Sequence, residues 1–225
     1  MSAIEIAISL FVLLFAITVH EAAHAWAARR MGDPTASDLG RITLNPIAHL
    51  DPVGSIILPI MLVVMKLPAF GWAKPVPVNP YNLRHPRRDN MLISAAGPLS
   101  NLLVGSSALI LLVILKFLSP SVRLFLNSPS LYRALLPKGF YPLEGLALIL
   151  YFAVLINLYL AVFNLIPVPP LDGSGIVAGI LTERGAARYE SLRPYGFFIV
   201  LALLYLDVLN IIILPINIFI SMLLR

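Results

Sequence analysis

The residues of this chain with the clearest chemistry are His20, Glu21 and His24, a His-Glu-x-x-His pattern inside an apolar run that begins at Ile4. On a helix, residues four apart share a face, one turn above the other, so both imidazoles can offer a ring nitrogen to one metal ion. Glu21 follows His20 by about 100° around the helix, which puts it beside the ion and out of line with the two ligands. Two imidazoles holding an ion, with a carboxylate placed to take a proton from a water that the ion acidifies, form the donor set of a zinc hydrolase. A third protein ligand is still needed. The chain has no cysteine, so that ligand must be a His or a carboxylate.

The elements that position these residues have to be membrane helices. Of 225 residues, 59% are hydrophobic and only 12% charged, against about a quarter charged in a soluble domain. The mean hydropathy is +0.91. Several apolar runs reach the roughly 20 residues that cross a bilayer, and no stretch is polar enough to form a separate soluble domain. The expected fold is therefore an α-helical polytopic membrane protein, one membrane-embedded domain over residues 1–225 with about four to six transmembrane helices. A net charge of +5 in so apolar a chain places basic loops against anionic headgroups and gives no reason to expect nucleic acid. The partners expected are the lipid bilayer and whatever the site acts on; no oligomeric state follows.

The first span covers residues 4–29. Glu5 and the lack of any basic residue before the run argue against a signal peptide. Arg29, Arg30 and Arg41 follow the run, so the positive-inside rule puts its far end in the cytoplasm and the histidines on the cytoplasmic side of the bilayer, in a plasma or inner membrane. The turn-rich stretch from Gly32 to Asp51 has room for a short strand near Gly40–Pro46. It also contains His49, which reads first as a surface or capping residue and second as a spare ligand.

A re-entrant and extended segment over residues 53–80 is expected next. The apolar run from Val53 to Leu67 is short, contains Pro59 and has cytoplasmic flanks on both sides, which favours re-entry over crossing. Phe70 to Pro80, with three prolines in the last six residues, cannot be helical. It forms either a strip able to pair with an unwound substrate, with Trp72 and Lys74 as candidate contacts, or a rigid loop.

Spans at 91–118 and 144–166 follow, joined by an external loop from Pro120 to Pro142. Small and polar residues in the first of them serve helix packing, with Asn101 set apart because a buried amide demands partners. The second ends in Asn164-Leu165-Ile166-Pro167-Val168-Pro169-Pro170-Leu171-Asp172-Gly173, where three prolines in four residues stop the helix. An Asp near membrane depth is costly unless paired or bound to metal. Asp172-Gly173 alone reads as a turn; taken with His-Glu-x-x-His on the same side of the membrane, Asp172 is the best third ligand. The apolar stretch 197–224 is one tilted helix or two pieces divided around Asp207, Asn210 and Pro215, with Asp207 in an interfacial or packing role.

The first-span His-Glu-x-x-His, the Phe70–Val78 strip, Ala96-Gly97-Pro98-Leu99-Ser100-Asn101 and Asn164 through Gly173, in that order, resemble the site-2 protease family of intramembrane zinc metalloproteases, in its small prokaryotic form without PDZ or CBS modules. The resemblance implies one zinc on His20, His24 and Asp172, Glu21 as catalytic base, transmembrane protein substrates cleaved near the cytoplasmic face, and Asn164 holding substrate or the developing oxyanion. A metal transporter would not need Glu21, and a catalytically silent scaffold would not need all four residues.

Overall fold

The computed structural model describes residues 3–65, 71–127 and 142–224. Lys66 to Phe70, and residues 128–141 of the expected external loop, lie outside the described residues, which contain helices, turns and extended segments but no β-strand.

Among the described residues, three helices are long and apolar enough to cross a membrane: α1 (Ala3–Met31), α4 (Pro86–Leu118) and α6 (Pro142–Asn164). At 23 residues the shortest spans about 34 Å, more than the hydrocarbon thickness. Leu10, Phe11 and Phe15 on α1, and Leu103, Ile110 and Phe117 on α4, face outward, as expected of helices whose solvent is lipid. Around His20 and His24 the inward stripe of α1 is rich in small residues, Ala16, Ala25, Ala27 and Ala28, which let the neighbouring backbones approach. α4 is the central element and packs against both α1 and α6. It begins five residues before the expected Met91, because Pro86 occupies its first turn and Asp89 accepts from the backbone N–H of His85.

The chain beyond α6 turns back through the prolines into α7 (Asp172–Ile180), which lies against α4. A Cβ at Gly175 would stand 2.1 Å from Ser94 Oγ, and one at Gly179 2.5 Å from Met91 Cβ. This small-xxx-small pair is what lets Asp172, at the head of α7, come up to α1. After α8 (Glu183–Glu190) come α9 (Gly196–Tyr205) and α10 (Val208–Leu224), with a 58° bend at the break between them. Asp207 sits in that break with φ 57° and accepts from the Asn210 side chain, while Pro215 is absorbed inside α10. The apolar stretch is thus divided at Asp207 only. Counting the bent pair as one span gives four candidate spans among the described residues, the low end of the expected number.

Three expectations need correction. No strand forms near Gly40–Pro46: residues 42–44 are bends, and Asn45 Oδ1 accepts from Ile47 N to open a 3-10 turn, Pro46–His49, so local turn bonding wins where no partner strand exists. The region after Pro120 is not loop throughout, since α5 (Pro120–Asn127) starts on a Ser119 cap and buries Val122 against α4 and α6. His49 is buried, not a surface residue, and its Nε2–H donates to the Thr43 carbonyl.

The expected 53–80 segment is helical at first and without regular structure from Gly71 to Asn79. A π-helical turn, Pro52–Ile57, continues into α3 (Leu58–Val64), which together are too short to cross. The returning strip lies beside the outgoing chain: Trp72 N donates to Gly54 O, Ser55 Oγ to Trp72 O, and Lys74 N to His49 O.

Candidate metal centre

α1 presents His20 and His24 on its inward face, and the head of α7 brings Asp172 to them. His20 Nε2 lies 3.0 Å from Asp172 Oδ2, His24 Nε2 lies 3.3 Å from Asp172 Oδ1, and the two Nε2 atoms are 3.1 Å apart. Both imidazoles are buried.

What these atoms can do follows from the other side of each ring. His24 Nδ1 is 2.7 Å from the Ile93 carbonyl, which only accepts, so Nδ1 carries the proton. His20 Nδ1 is 2.6 Å from Asn101 Oδ1 and donates likewise. Each Nε2 is then left with a lone pair aimed at the other and at a carboxylate. Asp172 Oδ2 is buried and has no hydrogen-bond donor. Lone pairs converging at such distances repel unless a cation lies between them, and two imidazoles with a carboxylate are the donors zinc takes. The donor set fits a zinc ion. Among the described residues, His20, His24 and Asp172 form the one group of three or more such side chains able to share an ion.

α4 completes the wall. Gly97 backs directly onto the histidines, where a Cβ would lie 2.4 Å from His24 Nε2 and 2.6 Å from His20 Cε1. Pro98 removes the N–H that would bond the Ser94 carbonyl, and Ser100 Oγ donates to Gly97 O nearby. The role of Asn101 is only half visible in sequence: its burial was legible from its place in a span, but its partner lies 81 residues away. Gly97 stood in the sequence only as part of the Ala96–Asn101 motif, with nothing to place it against the histidines.

Glu21 is half-buried next to His20, within electrostatic range of His24 and of the buried Arg41. The Arg41 guanidinium donates to the carbonyls of Lys74 and Pro75 and so ties the strip to the site's surroundings. Trp72 and Lys74 are engaged with residues 49–55 and Arg41; the Trp72 ring packs over Gly54, where a Cβ would sit 2.3 Å from the indole nitrogen. The amide of Asn164 turns back to the Leu160 carbonyl of its own helix.

The far end of the strip is fixed by Asp33, a buried carboxylate that accepts from Asn79 N, Asn82 Nδ2 and the hydroxyl and N–H of Thr35. Burial would raise its pKa, but the donors from Asn82, Thr35 and Asn79 outweigh that and hold it below the ordinary 3.8.

Comparison with known proteins agrees with this chemistry. The description "Peptidase family M50" matches residues 8–206. Over 191 residues the chain is 35% identical to "Putative zinc metalloprotease YwhC" of Bacillus subtilis, covering 85% of this chain and 77% of that protein. It is 28% identical over 200 residues to "Putative zinc metalloprotease Rip2" of Mycolicibacterium smegmatis, covering 88% of this chain, and 26% identical to the protein of that name in Mycobacterium tuberculosis. The matched region spans 66% of each mycobacterial protein. No solved structure matches the chain at a significant level.

Proposed function

The chain belongs to peptidase family M50, the site-2 protease family, and we propose that it is an intramembrane zinc endopeptidase that cleaves transmembrane segments of other membrane proteins. The observation that carries the reading is the convergence of the His20, His24 and Asp172 lone pairs inside a bundle of membrane-spanning helices. The whole chain acts in this reading as one membrane-embedded protease domain.

His20, His24 and Asp172 would hold the ion. Zinc bound there lowers the pKa of a water to about 7 and draws electron density from a carbonyl oxygen. Glu21 accepts the proton of the attacking water and returns it to the leaving nitrogen, a task that needs a carboxylate beside the ligands and not among them. The basic residues Arg29, Arg30 and Arg41 after α1 support an active site toward the cytoplasmic face of a cell membrane.

A substrate helix hides its peptide bonds in i to i−4 hydrogen bonds and must unwind before attack. The strip from Gly71 to Asn79 is not helical and is pinned by His49, Arg41 and Asp33. That rigidity suits it to hold an unwound segment by strand pairing, with Trp72 and Lys74 flanking the contact. Asn164 would assist at the scissile carbonyl once its amide leaves the Leu160 carbonyl.

The experiment compares membranes of cells producing the native chain or Glu21→Gln, with new protein N-termini mapped by mass spectrometry. The native chain is expected to generate termini inside transmembrane segments. The variant should lower them by about 10²–10⁴-fold while keeping its zinc. Identical sets of termini in both strains would refute the reading.

A further inference from the structure

We infer that Asn157 and Asn101 act as a two-residue relay that fixes the orientation of His20 and thereby sets the zinc affinity of the site; the inference rests on the metalloprotease reading above. The two histidines are held by different means. His24 Nδ1 donates to a backbone carbonyl, Ile93 O, which has no alternative to accepting. His20 Nδ1 faces a side-chain amide, which could turn either its oxygen or its NH2 toward the ring.

The rest of the network decides which. Asn101 Nδ2 is 3.1 Å from the Ala16 carbonyl and 2.9 Å from Asn157 Oδ1. Ala16 O can only accept. Asn157 Oδ1 accepts because Asn157 Nδ2 is committed at 2.9 Å to Ala153 O, four residues back on α6. Turning Asn101 over would set its oxygen against both acceptors and its NH2 against His20 Nδ1. Asn101 is 0% and Asn157 1% exposed, so no solvent compensates for a wrong orientation. Two backbone carbonyls, on α1 and α6, therefore dictate through Asn157 and Asn101 that His20 keeps its proton on Nδ1 and its lone pair on Nε2. Groups that hold the outer nitrogen of a ligating histidine in this way orient the ring and tune its basicity.

Both asparagines are positioning residues, and zinc affinity reads their effect without any substrate. The test is a competition titration of the detergent-purified full-length protein against a chromophoric zinc chelator, repeated with Co²⁺ so that the visible d–d spectrum reports the ligand field. Asn101→Leu is expected to weaken zinc binding by roughly 10–100-fold and to shift the Co²⁺ bands. Asn101→Asp keeps an acceptor toward His20 Nδ1 but turns a second oxygen on the Ala16 and Asn157 acceptors, so it should recover only part of that loss, with the Co²⁺ bands still shifted. Asn157→Leu is expected to give a smaller weakening than Asn101→Leu, with a shifted Co²⁺ spectrum. Its site touches neither ring, so it keeps the test open if Asn101→Leu does not fold. Leu112→Ala, a core change on α4 away from the site, should leave zinc affinity unchanged.

Native affinity and native Co²⁺ bands in Asn101→Leu, or in Asn157→Leu, would overturn the relay while leaving the protease reading intact. A native chain that takes up neither metal would remove the reading and the relay together.

Discussion

The two halves of α4 share apolar packing but differ in how much of their contact is polar. From Asp89 to Gly105 the helix adds polar atoms and missing side chains to the apolar contact of Ile93 and Ala96 with Ala27 and Ala28: Ile93 O and Asn101 hold the two histidines, and Gly97 clears room for them. From Ala108 to Leu118 apolar contact dominates, with Ala108 and Leu112 buried among Val122, Ala147, Val154, Ile220 and Leu224, and one polar tie, Lys116 Nζ donating to the Leu223 carbonyl. In lipid the second kind of packing is forgiving, because removed surface goes from protein to hydrocarbon and not to water. The first kind is not, since a misplaced buried hydrogen-bonding group finds no other partner. One helix thus carries a half specialised for geometry and a half specialised for cohesion.

The sharpest way to break that contrast is Gly97→Ala. The added methyl would fall within 2.6 Å of both imidazoles, so the loss of zinc affinity should exceed the ~100-fold typical of outer-shell substitutions, while thermal unfolding shows the helices still assembled. Zinc bound normally by this variant would mean that the glycine is not a wall of the site. In the other half, Leu112→Ala should cost about 2 kcal/mol, the low end for a core leucine because the lipid reference is apolar. Reversible unfolding in detergent measures it, and a change in zinc stoichiometry would blur the division proposed for α4.

A third substitution tests whether the strip belongs with the geometric half. Asp33→Ala strands the donors of Asn79 and Asn82 and should cost ~1–3 kcal/mol. The sign of the pH dependence follows from a folded pKa below the unfolded value of 3.8. The carboxylate's contribution is complete above that value and is lost as pH falls through the folded pKa. Native protein should lose stability on acidification in that window, and Asp33→Ala should lose less of it. Equal acid sensitivity in both would remove Asp33 from the account. The smallest effect is expected at Ser100→Ala, about 0.5–1.5 kcal/mol for the bond to Gly97 O, with zinc affinity close to native.

How much was legible in sequence follows the same division. The spans show in composition because lipid selects apolar residues all round a helix, and His20 with His24 show in spacing because four residues make one turn. Asp172 was legible through the prolines before it, which force an end to α6 where an unpaired carboxylate is expensive. The partners of Asn101, however, lie on α1 and α6, 85 and 56 residues away, and nothing local to Asn101 encodes them. The absent strand near Gly40 and the helix α5 in the expected loop were decided by caps at Asn45 and Ser119, short-range bonds that compete with the longer pattern. His49 sits among turn residues that suggest exposure, and it is buried because the returning strip closes over it through Lys74.

The central claim is that His20, His24 and Asp172, separated by up to 152 positions, make one metal site, with ligand atoms all within 4.8 Å of one another. Elemental analysis of purified native protein, His20→Ala and Asp172→Ala tests it most directly. The account predicts one zinc per native chain and its loss in both variants. Zinc retained at the native level in Asp172→Ala would contradict it.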